Sequence, residues 1–493
     1  MRTAGGAVIS SAGTVAISLM ALIAIPVPFL RSMGLGGMLV PLISAAVAVT
    51  LLPALLAGIG PRIDWPRLRQ ESDASPVWTR WTGLVVRHKW AAAIVAVGAL
   101  AALLVPAFDL EIGAARSDSL ASSGPAYQSL VAIRDGGAPA GIVTPLDVLV
   151  VGGDPAAVAR AARAVDGVAA AFAPDDPAWR RDGSALVSVI PAAETGDTTT
   201  ADVVRNVRAA VDDLPGVVGV AGQGALVLDY VAAVYGSFPL ALGLIVLVTF
   251  VQLVRAFRSV VLALKAVLLN LLSVAATFGA VVAFWQYGYG SEWLFGIAPT
   301  GSVTFWIPLV IFAFLFGLSM DYEVFIMARM REEYDDSGST DDAVITGMSR
   351  TGRLVTSAAL ILFLAFVALS SAPGTDVKIF ATALGMGILL DATIVRALLV
   401  PALVSLMGPA NWWLPAWVAR LLRIRITAPA RLALPAAPPG PAPAQPVPPR
   451  FEAGPAGLAL AELARSDVFA AAAPGEPRPD DAPATAVPVL TNH

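Results

Sequence analysis

Apolar runs of membrane length recur along the chain. Short polar or basic stretches separate them, and one long segment has a different rhythm. Residues 7–29 (AVISSAGTVAISLMALIAIPVPF) and 35–57 (ending LLPALLA) read as two spans joined by a turn that holds Arg31. A third span covers 90–107, and five more fall at roughly 237–254, 262–284, 302–328, 354–372 and 379–405. About twenty apolar residues cross a hydrocarbon core about 30 Å thick, so an α-helical polytopic membrane protein with about eight spans is predicted. A second run follows the first at once, which makes the first one half of a membrane hairpin rather than a secretory leader.

Between the third and fourth spans, over 109–236, the period shifts. LDVLVV (146–151), GVAAAFA (167–173), SALVSVIP (184–191) and GVVGVAG (216–222) have strand patterns, while PAAVARAARAV (155–165) and ADVVRNVRAAVDDL (201–214) have helical spacing. Two βαβ-like units predict a small ferredoxin-like α+β domain. GQGA (222–225) is too short for a phosphate loop and reads as a turn into the next helix.

Charge adds orientation. The chain is 57% hydrophobic and 14% charged, which fits the membrane class. Its net charge of −4 says less than where Lys and Arg fall. The linker 60–89 holds Arg62, Arg67, Arg69, Arg80, Arg87 and Lys89, and the loop after the fourth span holds Arg255, Arg258 and Lys265. The loop after the sixth holds Arg329, Arg331, Arg350 and Arg353, and reads as a helix with a turn at Ser337-Gly338. The positive-inside rule places all three in the cytoplasm, 109–236 outside and both termini inside, in the plasma membrane. NWWLPAWVARLLRIRI (411–426) sets Trp and Leu against Arg420, Arg423 and Arg425 and reads as an interfacial amphipathic helix. The predicted order is therefore a two-span unit (1–59), a cytoplasmic linker (60–89), one span (90–108), the external domain (109–236), a five-span bundle (237–410), the interfacial helix (411–426) and a disordered Pro/Ala-rich tail (427–493).

The chain has no cysteine, and its only histidines are His88 in the basic linker and His493. No metal set, cofactor site or nucleophile–base pair is expected, and none of this points to an enzyme. The chemistry lies in the spans. FAFLFGLSMDYEVFIMARMREEY (312–334) carries Asp321, Tyr322 and Glu323. Asp321 falls roughly 12 Å before Arg329, inside the hydrocarbon. A carboxylate there costs several kcal/mol and marks a proton or ion site, with Tyr322 as hydrogen-bonding neighbour. The alternative is a carboxylate that snorkels to the interface, and that is the reading for Glu323, which is nearer the helix end on another face. Gly317, one turn before Asp321, admits a close helix neighbour. In the eighth span, Asp391 and Arg396 are five residues apart, about 140° around an α-helix. Asp391 is either a second functional polar site or an inter-helix pairing, and Arg396 supports it or snorkels.

Two stretches repeat. RTAGGAVISSAGTVAISLMALIAIP from Arg2 matches RTGRLVTSAALILFLAFVALSSAP from Arg350, and each leads to a second span with LLPALL (51–56) or LVPALV (399–404). Such repeats are common in secondary transporters, with coupling sites near the repeat interface. The motifs FGLSMDYEVFIMARMREEY, TGRLVTSAALI (351–361), LGMGILLDATIVRALLVPALV (384–404) and NWWLP (411–415), with ISSAGTVAISL and VPFLRSMGLG (27–36), resemble the MMPL family of actinobacterial lipid transporters, within the RND superfamily. The resemblance runs to about residue 425, is weaker in the external domain and is absent from the tail. It implies an RND-like fold of two halves, each with an external porter domain, and this chain would begin just before the fifth of twelve spans. The family's proton relay uses an Asp-Tyr pair from each half. Asp321-Tyr322 matches the second pair, and the first has no counterpart.

The resemblance thus implies a proton-motive-force-linked exporter of lipids or other hydrophobic molecules. The alternative is a non-transporting subunit or pseudo-transporter that binds lipid or a partner. Arg2-Thr3 matches a position that is mid-domain in the second unit. A truncated form is therefore expected, with a chain supplying the missing half, or a second copy, as partner. No nucleic-acid partner is expected.

Overall fold

The computed structural model describes residues 4–63, 74–120 and 124–424, without the side chains of 4–7, 10, 11, 60–63, 120 and 321. The chain divides into Met1–Ala430 and Arg431–His493. The second unit lies outside the described residues, as do the predicted tail 427–493, Arg425 and the middle of the basic linker.

Among the described residues, seven helices are long and apolar enough to cross a membrane: Pro28–Ile59, Lys89–Asp109, Gln223–Phe257, Val260–Gln286, Ile307–Ser337, Thr340–Leu369 and Thr375–Trp412. The first predicted span is not one helix. It is a shorter helix Ala4–Met20 with a 3-10 turn Ala21–Ala24. Pro26 and Pro28 explain the break, since each lacks an N–H and biases the residue before it away from helical geometry. Pro28 then opens the next helix, Pro28–Ile63, where its missing donor costs nothing.

The 307–337 and 340–369 helices run past the predicted ends of their spans and form a hairpin. Gly338 turns it at φ 69°, and the Ser339 hydroxyl caps the second helix by accepting from the Asp342 N–H at 3.4 Å. Helix 307–337 is the centre of the bundle. Helices 4–20, 223–257, 260–281, 340–369 and 375–390 all pack on it. Helix 28–63 packs on 4–20 and otherwise exposes a broad apolar surface including Leu35, Val40, Ile43 and Leu51.

The segment after the last span differs from the predicted amphipathic helix. Gly408–Trp412 is a 3-10 turn, and only Ala416–Leu421 is α-helical. Pro415 interrupts the helix, and Asn411 is drawn inward. Trp412 is buried as well. Its ring stacks on Tyr334 at 4.3 Å between centroids, and its indole N–H donates to Thr340 Oγ1 at 3.1 Å. Trp413 and Trp417 stay exposed.

The domain before helix Gln223–Phe257 forms a sheet in the order Val168–Phe172, Ser184–Pro191, Leu146–Val151, Val217–Gly222, with all neighbours antiparallel. That is the ferredoxin-like order for two interleaved βαβ units. Alternation explains it: Leu146, Val148 and Val150 point inward and pack on Val158 and Ala162 of helix Pro155–Arg163 and on Val204, Val207 and Val211 of helix Ala201–Val211. The last strand passes through Gly222, at φ 112°, directly into helix Gln223–Phe257. A second connection is a two-residue parallel ribbon in which Ile112–Gly113 pairs with Val303–Thr304, just ahead of helix 307–337.

Candidate functional site

The helix that begins at Ile307 presents Ser319, Tyr322 and Glu323 at i, i+3 and i+4, one face of an α-helix. All three are buried. Facing them is the helix that starts at Thr375. At Asp391 it changes to a π-helix that runs to Leu399, with the N–H of Val400 bonded to the carbonyl of Val395. A π turn closes i→i+5, so residues five apart share a face. In an α-helix Asp391 and Arg396 would lie about 140° apart. The π segment brings them together instead: Arg396 Nε donates to Asp391 Oδ2 at 2.8 Å. The extra residue in the turn is accommodated just before Pro401, which has no N–H to give. The carbonyl of Ala397, four residues before Pro401, accepts the Trp81 indole N–H at 2.8 Å.

Arg396 is 2% exposed, so it does not snorkel. Its Nη2 donates to the Ser319 carbonyl and, at 2.8 Å, to Ser319 Oγ, and it lies 3.7 Å from Glu323 Oε2. Its guanidinium carbon stands 4.1 Å from the Tyr322 ring centroid. Asp391 Oδ2 also accepts from Ser319 Oγ at 2.8 Å and from the Tyr322 hydroxyl at 2.9 Å. Asp391 Oδ1, Glu323 Oε1 and Arg396 Nη1 are buried without a hydrogen-bond partner among the described atoms. The site is therefore an enclosed set of two carboxylates, one fixed cation, a phenol and a hydroxyl, with spare donor and acceptor capacity. Such incomplete satisfaction is expensive in a core.

Of the residues predicted from sequence, Tyr322, Asp391 and Arg396 come together here. The Asp321 side chain lies outside the described residues, although Met320 and Tyr322 on either side of it are buried. Gly317 faces helix 4–20: a Cβ placed on it would stand 3.2 Å from the Ser18 Cβ and 3.4 Å from the Val15 Cα.

Two more ionisable residues, Glu323 and Lys265, lie inside the bundle. Glu323 does not snorkel; it is buried beside Arg396. Lys265 is not in a loop but in helix Val260–Val281, capped by Ser259 Oγ accepting from the Leu262 N–H at 3.1 Å. The Ser259 cap was the available signal, because it puts Lys265 beyond the first helical turn. Ser319 had the i,i+3 spacing to Tyr322 as its signal.

The MMPL family model matches residues 1–94 and 151–428. The mycolic acid-containing lipids exporter MmpL11 of Mycolicibacterium smegmatis is 35% identical over 445 residues, covering 86% of this chain and 46% of that protein. The protein named heme uptake protein MmpL11 of Mycobacterium tuberculosis is 34% identical over 452 residues, covering 86% and 45%. The chain spans about half the length of these relatives. Among solved structures, SecDF, a translocon-associated membrane protein, aligns with a TM-score of 0.46 at 14% identity, over 82% of this chain and 49% of that one.

Proposed function

The chain belongs to the MMPL family, and on that premise we propose that it takes part in proton-motive-force-linked export of lipids or other hydrophobic molecules across the plasma membrane. The observation that carries this reading is the enclosed Ser319–Tyr322–Glu323–Asp391–Arg396 cluster at the heart of membrane-length helices. Ionisable groups at such depth face the bundle interior and serve proton or ion movement by default. The names of the two relatives supply the cargo class, a large hydrophobic molecule, and lipid export is the direction adopted here.

The mechanism follows from the contacts. Asp391 as a carboxylate accepts from Tyr322, Ser319 and Arg396 at once. A proton arriving by way of Asp321 and Tyr322 neutralises a carboxylate of the cluster and removes the reason for those donors to converge. Helices 307–337 and 375–390 are then free to repack against each other. Helix 307–337 follows directly on the Val303–Thr304 strand, which is paired to Ile112–Gly113 at the entrance to the sheet domain. Thr304 Oγ1 also donates to Asp376 Oδ1 at 2.6 Å, at the start of the facing helix. Both moving helices are thus tied to the domain that would handle cargo.

The test is transport of a fluorescent long-chain lipid by the 493-residue chain in vesicles under an imposed pH gradient. Asp321→Asn and Tyr322→Phe should each abolish gradient-driven movement while membrane insertion is retained, and an uncoupler should do the same to the parent chain. Indifference to all three would favour the other reading, a lipid- or partner-binding subunit that does not transport.

A further inference from the structure

Below the cluster, at the end of the bundle opposite the sheet domain, lies a second buried ionisable group that the mechanism above does not use. Helices 260–281 and 307–337 run antiparallel. The side-chain amide of Asn270 donates to the Phe316 carbonyl at 3.2 Å and fixes their register. From that tie, Lys265 lies five residues one way and Glu323 seven residues the same way in space. At 1.5 Å per residue these are roughly 8 Å and 10 Å, so the two side chains stand at nearly the same level. Among the described side chains, the charged groups around Glu323 are Arg396, whose Nη2 is 3.7 Å from Glu323 Oε2, and Asp391, which shares that guanidinium; Lys265 lies at the same level on the facing helix.

Among the described residues, Lys265 has one hydrogen-bond partner, and that partner is immobilised. Lys265 Nζ donates to Asn411 Oδ1 at 2.7 Å. Asn411 is fully buried, and its amide nitrogen is spent on the carbonyls of Val404 and Gly408, both at 2.7 Å. Its own carbonyl accepts from Ser259 Oγ at 2.5 Å. The ammonium is therefore held by a rigid amide beside the 408–415 turn, about one and a half helical turns from the Val260 end of its helix. Glu323 lies 3.7 Å from Arg396 and at nearly the same level as this lysine, and its Oε1 has no partner among the described atoms.

We propose, building on the proton-linked reading above, that Lys265 is the residue through which protons leave the buried carboxylate cluster toward the end of the bundle opposite the sheet domain. The two cations nearest this level of the bundle, Arg396 and Lys265, differ in kind. A guanidinium keeps its proton at any relevant pH, whereas an amine exists in both protonated and neutral forms and can take up and release a proton. The step balances. Protonated Glu323 passes its proton to the neutral Lys265 amine and leaves a carboxylate and an ammonium. The ammonium then loses that proton to water at the end of the bundle, and Glu323 is reloaded from the Asp391 side. Asn411 holds the amine in line and takes no proton.

The experiment measures gradient-driven proton movement with an enclosed pH dye in vesicles carrying the full chain, for the parent and two variants. Lys265→Arg keeps the positive charge beside Glu323 but cannot release a proton. A counter-ion role would survive this change, whereas the proposal expects a loss on the order of 100-fold and a residual rate that no longer follows the pH of the receiving side. The second variant, Lys265→Met with Glu323→Gln, removes both charges together and so guards against a fold lost to an unpaired buried ion. It should be equally inactive. Parent-like rates in either variant overturn the proposal while leaving the proton-linked function standing. A parent chain that moves no protons at all defeats both.

Discussion

Removing Arg396 should unfold the bundle far more readily than removing the whole charge cluster. In Arg396→Met, Asp391 loses a 2.8 Å hydrogen bond, Ser319 loses two donors, and Glu323 loses the cation 3.7 Å away. Two carboxylates then remain buried with no opposing guanidinium. Breaking a buried ion pair from one side typically costs about 3–5 kcal/mol. At about 1.4 kcal/mol per factor of ten, the folded-to-unfolded ratio should fall by roughly two to three and a half orders of magnitude. The neutral triple variant Arg396→Met, Asp391→Asn, Glu323→Gln removes the unpaired charges as well. It should recover most of that loss, since replacing a complete buried ion cluster is often near neutral. Both variants can be followed by unfolding of the purified protein in lipid nanodiscs, with fluorescence of the buried Trp285 and Trp412 as the signal. A single variant as stable as the parent, or a triple variant no better than the single, would refute the view that Arg396 is held by charge rather than by its packed stem.

Other outcomes follow from the same geometry. Trp81→Phe withdraws the donor that meets the Ala397 carbonyl at the π segment and should lower stability by about 1 kcal/mol in the same unfolding assay. Gly317→Leu should push helix 4–20 away from helix 307–337, because even a Cβ at 317 meets Ser18 at 3.2 Å; a loss of about 1–3 kcal/mol is expected, and Gly317→Ala should cost less. Val187→Ala, at a fully buried point of the sheet, should destabilise the sheet domain by about 2 kcal/mol, readable as faster proteolysis there while the bundle resists. Because the chain has no cysteine of its own, Arg181→Cys in the sheet domain and Asp336→Cys at the far hairpin give a direct check of orientation. An impermeant thiol reagent on intact cells should label the first and spare the second.

Much of the architecture is a local property of the chain, and the sequence alone determined it. Membrane spans are set by the length of apolar runs, which no tertiary contact alters. The sheet domain was equally legible, because burying one face of a strand forces alternation. Every predicted strand from 146 to 222 and both predicted helices appear within a few residues of their expected bounds. The turn at Ser337-Gly338 and the passage from GQGA into a helix were also visible, since a glycine at positive φ is a local requirement.

The polar site was only half legible, for a physical reason. Tyr322, Asp391 and Arg396 announced themselves as polar groups inside apolar runs. Whether they meet depends on the backbone between them, and an α-helix would have kept Asp391 and Arg396 on different faces. The π segment that brings them together is stabilised by what it packs against: Tyr322 and Ser319 from one helix, and Trp81, distant in sequence, capping the Ala397 carbonyl. Glu323 and Lys265 were misplaced because position along a helix fixes only distance from its end. Whether a charge near that end escapes to water or is enclosed is decided by the neighbouring helices, and here Asn411 and Arg396 enclose both.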